Sequence, residues 1–369
     1  MFCIGPWKEI DLLREHLTMN GHHRVPCLRS MITHEHLAML ARPYGMAAND
    51  LEFVRSNQNH VYLCRRDDRR CILRISTGRH RSCAQVEAEL AWIEFLAAQS
   101  VRVCRPIPAL NGQTCVTLSA EGTVYIVTCF EHAPGRKIMP SDIAPPIYEK
   151  LGGLLAQLHS HALKLPAGHA AETRAPWHES RLLNEDVADL RGRVSPGFMK
   201  SLKDLMQKLR LLPAAPGSFG LIHADACLGN CFLDDDHLWI FDFDNCEQGH
   251  FVQDFATILY DSIYCRVLNQ FADEGLNDRI APLWAGLWRG YAKAGPLAAI
   301  DALQLKHFFL LREAVIYIHY HRTLDVPALS ESFKAGLEVM RKNVEDQAHQ
   351  VDFERLVSLS QDAQISTAI

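Results

Sequence analysis

Two stretches of sequence decide the fold: Leu221-Ile222-His223-Ala224-Asp225-Ala226-Cys227-Leu228-Gly229-Asn230 and, a few residues later, Leu238-Trp239-Ile240-Phe241-Asp242-Phe243-Asp244. The first stretch begins as a buried strand and breaks into a polar loop. The second is an apolar strand with acids at its end. Because Phe241 and Phe243 flank Asp242, we expect the strand to bury these neighbours and to present the Asp242 carboxylate at a cleft.

The charge around these stretches is one-sided. Between Leu221 and Cys265 the chain carries nine carboxylates and no Lys or Arg. Such an excess beside apolar strands is costly unless a cation compensates it. Mg²⁺ is the natural candidate, because it takes hard oxygen ligands from one or two carboxylates together with phosphate oxygens.

The order and spacing of the polar residues indicate a reaction. An H-x-D-x-x-x-x-N pattern, followed about a dozen residues later by an acid at a strand end, is the arrangement that phosphoryl transfer uses. In it one Asp accepts a hydroxyl proton, an Asn holds metal, and a second Asp bridges metal to the β- and γ-phosphates. The alternative is a polar turn and a hairpin with an accidental Asp-rich loop. Asp244 fits metal support and plain surface exposure equally well.

The first part of the chain has the texture of a small antiparallel sheet. Asp67 and Asp68 form a turn between two of its β-rich runs, and Glu121-Gly122 turns a later hairpin. Ser82 and Gln85 fit a capping box ahead of a helix. We predict one helix across a sheet of five or six strands. The strands are expected at 51–55, 61–65, 71–76, 101–107, 114–118 and 123–129.

Helical patterns dominate after Pro134-Gly135, and a β-rich island at 221–243 interrupts them. Helices are expected over 147–158 and 198–209 and from 251 to about 343. The helix at 303–322, which contains Arg312, is expected to pack rather than to line a substrate site. We therefore predict a loose N-terminal extension over 1–30, a β-rich nucleotide-binding lobe over 31–131, and a helical catalytic and substrate-binding lobe over 132–369.

Composition excludes several classes of protein. A formal net charge of −5 gives no reason to expect a nucleic-acid binder, and no apolar run reaches the roughly 18 residues that a membrane helix needs. The N-terminus lacks the apolar stretch of a signal peptide, so the cytoplasm is the expected compartment. The 12 cysteines form no C-x-x-C pair and no zinc-finger spacing with histidine, so we expect reduced and mostly buried thiols.

Residues 223–230 together with 241–244 resemble the Brenner-box motif of the aminoglycoside phosphotransferase and choline kinase family. The resemblance extends from about residue 31 to residue 322. It implies the two-lobed protein-kinase-like fold, an α+β architecture with a small antiparallel-sheet N-lobe and a mostly helical C-lobe.

In the C-lobe the resemblance implies that His223 braces the catalytic loop, that Asp225 is the base, and that Asn230 and Asp242 bind Mg²⁺. Asp254, near the start of a helix, is expected to be structural and to tie down this loop. The chain departs from the family motif at Ala224, Ala226 and Cys227, where Gly, Leu and His are common.

In the N-lobe the resemblance implies that Arg74 contacts the α- and β-phosphates of ATP or GTP. Many relatives have Lys there, and Arg also forms bidentate phosphate contacts. Glu89 would pair with Arg74, although Glu87 is close enough in sequence to compete. Nucleotide contacts are further implied for Asn57, Glu131 and Ala133.

Three functions follow as hypotheses. The first is a kinase that phosphorylates a hydroxyl of a small, amine-bearing molecule; the excess of carboxylates motivates the cationic preference. The second keeps the chemistry and moves the acceptor to Ser or Thr of a protein. The third is a catalytically idle nucleotide-binding module. None of these requires nucleic acid or membrane as a partner.

Overall fold

A computed structural model of the chain describes residues 32–56, 58–190, 192–215, 217–267, 275–293 and 302–367. The predicted N-terminal extension over 1–30 lies outside these residues. In the described part of the chain no helix has the length and apolar character that crossing a membrane requires.

The first lobe is built on a six-stranded antiparallel sheet, as the β-rich runs predict. Asp67 and Asp68 form the expected turn, with φ values of 50° and 61°. The strands pair in the order β1-β2-β3-β6-β4, and β5 also pairs with β6. Their bounds are β1 Glu52–Ser56, β2 His60–Arg66, β3 Arg69–Thr77, β4 Pro106–Ile107, β5 Cys115–Ala120 and β6 Thr123–Glu131.

A helix packs on each face of this sheet, one more than the single helix predicted across it. Helix α1 (His34–Ala41) covers one face, and its Leu40 belongs to the same buried core cluster as Leu73 of β3. Helix α2 (Cys83–Ala98) covers the other face and begins with the predicted capping box of Ser82 and Gln85. The two faces arise because alternate residues of a strand point to opposite sides.

The second lobe is helical, and its bounds are α3 Pro145–Ala162, α4 Pro196–Arg210, α5 Phe251–Asp261, α6 Leu276–Ala292, α7 Ala302–Thr323, α8 Glu331–Asp346 and α9 Phe353–Thr367. Helices α3 and α6 pack backbone to backbone at Gly152, where an added Cβ would lie 1.8 Å from the Leu287 carbonyl oxygen. The helical pattern extends beyond residue 343, where the sequence prediction ended, because α9 packs on α6 and α7.

Short strands between α4 and α5 position the polar loop. β8 (Phe219–Ile222) pairs with β11 (Glu247–His250), while β9 (Cys231–Asp234) lies between β10 (His237–Ile240) and a two-residue strand, β7 (Arg136–Lys137). Residues 223–230 connect β8 to β9, and residues 241–246 connect β10 to β11. The two stretches that carry the polar motif are therefore neighbouring loops.

Candidate active site

The catalytic loop starts at the end of β8 and is organised around His223. This side chain is buried; its Nδ1 accepts a hydrogen bond from the Asp225 amide at 3.3 Å, and its Nε2 lies 3.2 Å from the Phe241 carbonyl oxygen. Because Nδ1 accepts a hydrogen bond, the ring proton is on Nε2, which donates a hydrogen bond to the Phe241 carbonyl oxygen. Both ring nitrogens are therefore engaged by the backbone, an arrangement suited to bracing the loop rather than to proton transfer.

Asp254, in the first turn of α5, ties down the same loop as expected. It is fully buried and accepts hydrogen bonds from the backbone amides of His223 and Ala224 at 3.1 and 2.7 Å. His159 lies 3.1 Å from it through Nε2. Ala224 has φ +61°, a left-handed conformation that costs a residue with a Cβ about 1–2 kcal/mol. The bonds to Asp254 help to hold this conformation.

Asn230 and Asp242 supply oxygens of the kind that Mg²⁺ prefers. The side-chain amide nitrogen of Asn230 donates to the backbone oxygen and to Oδ2 of Asp225, at 3.0 and 3.2 Å. These bonds turn the Asn230 Oδ1 away from Asp225. The Phe241 amide donates to the Asn230 carbonyl at 3.0 Å and so holds the strand end before Asp242 beside Asn230. One carboxylate and one amide oxygen fit a Mg²⁺ ion that also takes phosphate and water ligands.

Two arginines that the sequence analysis did not assign to the site bind its carboxylates. Arg55 of β1 donates to Oδ2 of Asp242, and Arg312 of α7 donates to Oδ1 of Asp225. The Asp242 carboxylate raises the pKa of Arg55. Burial acts to lower the pKa of Arg312, but the adjacent Asp225 outweighs it and the net shift is upward. The helix at 303–322 thus packs on the core, as expected, and also reaches the site.

Part of the charge excess seen in the sequence is therefore balanced inside the protein by cations that are remote in the chain. Because of these partners, four of the acids do not by themselves require a bound metal ion or a cationic substrate. The ion pairs are Asp225 with Arg312, Asp242 with Arg55, Asp244 with His80 and Arg81, and Asp236 with Lys150.

Of the two roles considered for Asp244, surface exposure is wrong. The side chain is buried and lies 2.7 Å from Nε2 of His80 and 3.3 Å from Nε of Arg81. Burial acts to raise the pKa of Asp244, but Arg81 and His80 together hold it well below its ordinary value. Because His80 and Arg81 precede α2, this cluster joins the N-lobe to the catalytic region.

The predicted pair of Arg74 and Glu89 is present. Two parallel hydrogen bonds of 2.7 and 2.8 Å join the guanidinium to the carboxylate, and both side chains are buried. The Phe130 ring lies 4.9 Å from the Arg74 guanidinium carbon. Glu87 is exposed on α2 and does not compete. Arg74 lies on the α2 face of the sheet; burial acts to lower its pKa, but the Glu89 carboxylate, helped by Asp244 and Asp242, outweighs burial and the net shift is upward.

The other predicted nucleotide contacts lie where the lobes join or outside the described residues. Glu131 is the exposed last residue of β6, and its amide donates to the Arg105 carbonyl at 2.9 Å. Ala133 is buried two residues later. Asn57 lies outside the described residues.

Comparison with known proteins assigns the family. Residues 50–294 match the model of the phosphotransferase enzyme family. The chain is 28% identical over 314 residues to the amicoumacin kinase of Bacillus subtilis (strain 168), covering 84% of this chain and 91% of that protein.

Solved structures agree on the fold. The amicoumacin kinase hAmiN in complex with AMP-PNP, Ca²⁺ and Ami superposes with a TM-score of 0.78 at 24% identity, covering 86% of this chain and 94% of that chain. A microcompartment-associated aminopropanol kinase gives a TM-score of 0.61 at 21% identity, covering 89% and 97%. The predicted two-lobed kinase-like fold is confirmed.

The predicted activity is confirmed at the level of the family: the protein is a phosphotransferase that uses a nucleotide and acts on a hydroxyl group of a small molecule. The relatives favour a small-molecule acceptor over the protein-kinase alternative. The sequence motif, the arrangement of the catalytic loop and the family match agree that the chain belongs to the phosphotransferase enzyme family.

Proposed function

We propose that the protein transfers the γ-phosphate of ATP or GTP to a hydroxyl group of a small amine-bearing molecule, with Asp225 as base and Mg²⁺ on Asn230 and Asp242. The observation that carries this proposal is the hydrogen bonding of Asn230 to Asp225. It makes the base and a metal ligand parts of one rigid loop, so the acceptor oxygen and the bound phosphates meet at a defined distance.

In this proposal Asp225 receives the proton of the acceptor hydroxyl while the hydroxyl oxygen forms its bond to the γ-phosphorus. The bond between that phosphorus and the oxygen that bridges the β- and γ-phosphates breaks, and the nucleoside diphosphate leaves. A bound Mg²⁺ would neutralise charge on the phosphate oxygens. Arg312 fixes the orientation of Asp225 through Oδ1 and leaves Oδ2 within reach of Asn230.

The nucleotide would be held from the N-lobe. Arg74 is oriented by its two bonds to Glu89 and is the proposed contact of the α- and β-phosphates. Such a buried, preoriented guanidinium loses little conformational entropy when it binds phosphate. Asn57, Glu131 and Ala133 remain proposed contacts to the nucleotide on the strength of the family resemblance.

The amine preference of the acceptor rests on the relatives. A curated relative is named for amicoumacin, and a structural relative is named for aminopropanol. The ion pairs of Asp225 and Asp242 mean that the site does not need a cationic acceptor for charge balance. Amines and their uncharged analogues therefore belong in one screen.

The test is a screen of purified protein with Mg²⁺ and ATP or GTP against amino alcohols, amine-bearing antibiotics and matched alcohols without an amine. Mass spectrometry would detect an acceptor that gains a phosphate, and nucleotide consumption would give the rate. We expect phosphorylation of an amine-bearing acceptor, lost in Asp225→Asn at unchanged nucleotide affinity. Activity that persists in Asp225→Asn would contradict the role of Asp225 as base. Equal activity toward matched alcohols without an amine would contradict the proposed acceptor class.

A further inference from the structure

A cluster of three cysteines lies in the N-lobe, away from the proposed phosphate site. Cys64 of β2 and Cys71 of β3 are directly opposite each other, and Cys129 of β6 is paired with Leu73, two residues from Cys71. All three belong to the core beneath α1, on the face opposite Arg74. None of them exposes more than 2% of its surface.

The sulfur atoms of this cysteine cluster converge on one point. The Sγ atoms of Cys64 and Cys71 are 3.1 Å apart, and all three Sγ atoms lie within 4.8 Å of one another. A metal–thiolate bond of about 2.3 Å in a trigonal plane places the sulfurs about 4.0 Å apart. The strand register therefore brings the three sulfurs together, and the Cys64 and Cys71 sulfurs would have to separate from 3.1 Å to about 4.0 Å to bind an ion in this geometry.

The three sulfur atoms of the cluster favour a soft metal ion. Thiolates are soft ligands that select Cu(I) and related ions, whereas Mg²⁺ takes oxygen ligands. A structural zinc ion takes four ligands, and the described residues group three here.

We propose that Cys64, Cys71 and Cys129 form a binding site for one thiophilic d¹⁰ ion of low coordination number, such as Cu(I). Binding forms three metal–sulfur bonds, and any thiol protons leave to solvent, so no oxidant or reductant is needed. The ion would link three neighbouring strands on the face away from the catalytic loop. It would stabilise the N-lobe without contact to the proposed nucleotide site.

The test is an anaerobic titration of the reduced full-length protein with Cu(I), with bicinchoninate as the competing chelator. We expect one tightly bound ion per chain, three sulfur neighbours in X-ray absorption and a raised melting temperature. Loss of a second-sphere partner weakens metal binding by about 10–100-fold, and loss of a ligand should weaken it at least as much. Cys129→Ala and Cys64→Ala should therefore each bind Cu(I) about 100-fold more weakly, while their unloaded forms keep the wild-type near-UV spectrum.

Two further variants control for the other thiols. Cys104→Ala removes a buried cysteine outside the cluster, and Cys83→Ala breaks the other close pair, in which Cys83 and Cys115 are 3.4 Å apart. Both should keep the tight site. Unchanged Cu(I) affinity in Cys64→Ala would overturn the proposal, and this variant decides the case if Cys129→Ala does not fold. X-ray absorption that shows only two sulfur neighbours around the ion would also overturn it. So would a disulfide between Cys64 and Cys71 in place of bound metal.

Discussion

Asp242 meets two cations in the course of the proposed reaction. Its carboxylate is bound by Arg55, which lies on β1 of the other lobe and is 41% exposed. A metal ion bound to Asp242 would bring a larger charge to the same carboxylate and would compete with Arg55 for it. Asp242 itself has a φ of +68°, a backbone conformation that Asp tolerates better than most residues with a Cβ.

Asp242→Asn should weaken the binding of Mg²⁺-nucleotide as well as turnover, because it removes a ligand charge from the metal site. Isothermal titration with Mg²⁺ and a non-hydrolysable ATP analogue would measure the affinity. Asp236→Asn is a matched control, since Asp236 is exposed and pairs with Lys150. Nucleotide affinity and Mg²⁺ dependence that both survive in Asp242→Asn would remove Asp242 from the metal site.

At the scale of elements, α2 connects the sheet to the catalytic region. Its Glu89 pairs with Arg74, while His80 and Arg81, just before its first turn, bind Asp244. Helix α2 and the two residues just before it therefore link the N-lobe sheet to the catalytic region. Helix α7 has a comparable double role, because Arg312 reaches Asp225 and the next residue, Glu313, is buried against α8.

Glu89→Gln should destabilise the protein by about 3 kcal/mol, because it leaves the Arg74 charge buried without a counter-ion. It should also lower nucleotide affinity, since Arg74 loses its fixed orientation. Urea unfolding and nucleotide titration measure the two effects. Glu87→Gln on the exposed face of the same helix should change stability by less than about 0.5 kcal/mol. Equal effects of the two substitutions would refute the role of the ion pair.

Glu313 makes stability depend on pH. Burial raises its pKa to about 8, while hydrogen bonds from Asn343 and Tyr264 to Oε1 oppose the shift. The folded protein therefore holds a proton that the unfolded chain loses near pH 4.5, so this residue lowers stability as the pH rises toward 8.

Glu313→Gln removes this proton and its penalty. We expect the wild type to lose about 2 kcal/mol or more of unfolding free energy relative to the variant when the pH rises from 5 to 8, since each pKa unit corresponds to about 1.4 kcal/mol. Denaturant unfolding at the two pH values measures it, with the exposed Glu354→Gln as control. A difference that is independent of pH would show that Glu313 is ionised in the folded protein.

At the scale of the whole molecule, the guanidinium of Arg174 contacts both lobes. Arg174, in the connection between α3 and α4, donates to the carbonyl oxygens of Cys246, Gln85 and Asp244 at 2.6, 2.9 and 2.7 Å. Gln85 lies in α2, and the other two residues follow Asp242 in the chain. The side chain is buried, and its donors satisfy carbonyl groups of both lobes.

Arg174→Lys should destabilise the protein by about 2–4 kcal/mol, because one ammonium cannot serve three carbonyls in separate directions and buried acceptors are left unpaired. Hydrogen exchange should rise in α2 and in 244–250 together, since both lose the same partner. Arg105→Lys, in an exposed pair with Glu94, should change stability by less than about 1 kcal/mol. Faster exchange in one lobe alone would contradict the bridging role.

The sequence by itself determined the elements and the chemistry of the catalytic loop. Short β-rich runs separated by turn residues predicted the strands of the N-lobe, and Ser82 with Gln85 predicted the start of α2, because both signals are local along the chain. The spacing of Asp225, Asn230 and Asp242 indicated phosphoryl transfer for the same reason: one loop and one strand end hold all three.

The tertiary structure alone decided which cation neutralises each acid and which thiols meet. Arg55, Arg312 and the three-cysteine cluster come together through strand pairing and lobe packing, over sequence distances at which no local pattern reports a contact. The burial of Asp244 and the position of α1 on the sheet could not be read from the sequence for the same reason. Charge compensation and burial are properties of neighbours in space, and the fold brings those neighbours from both lobes.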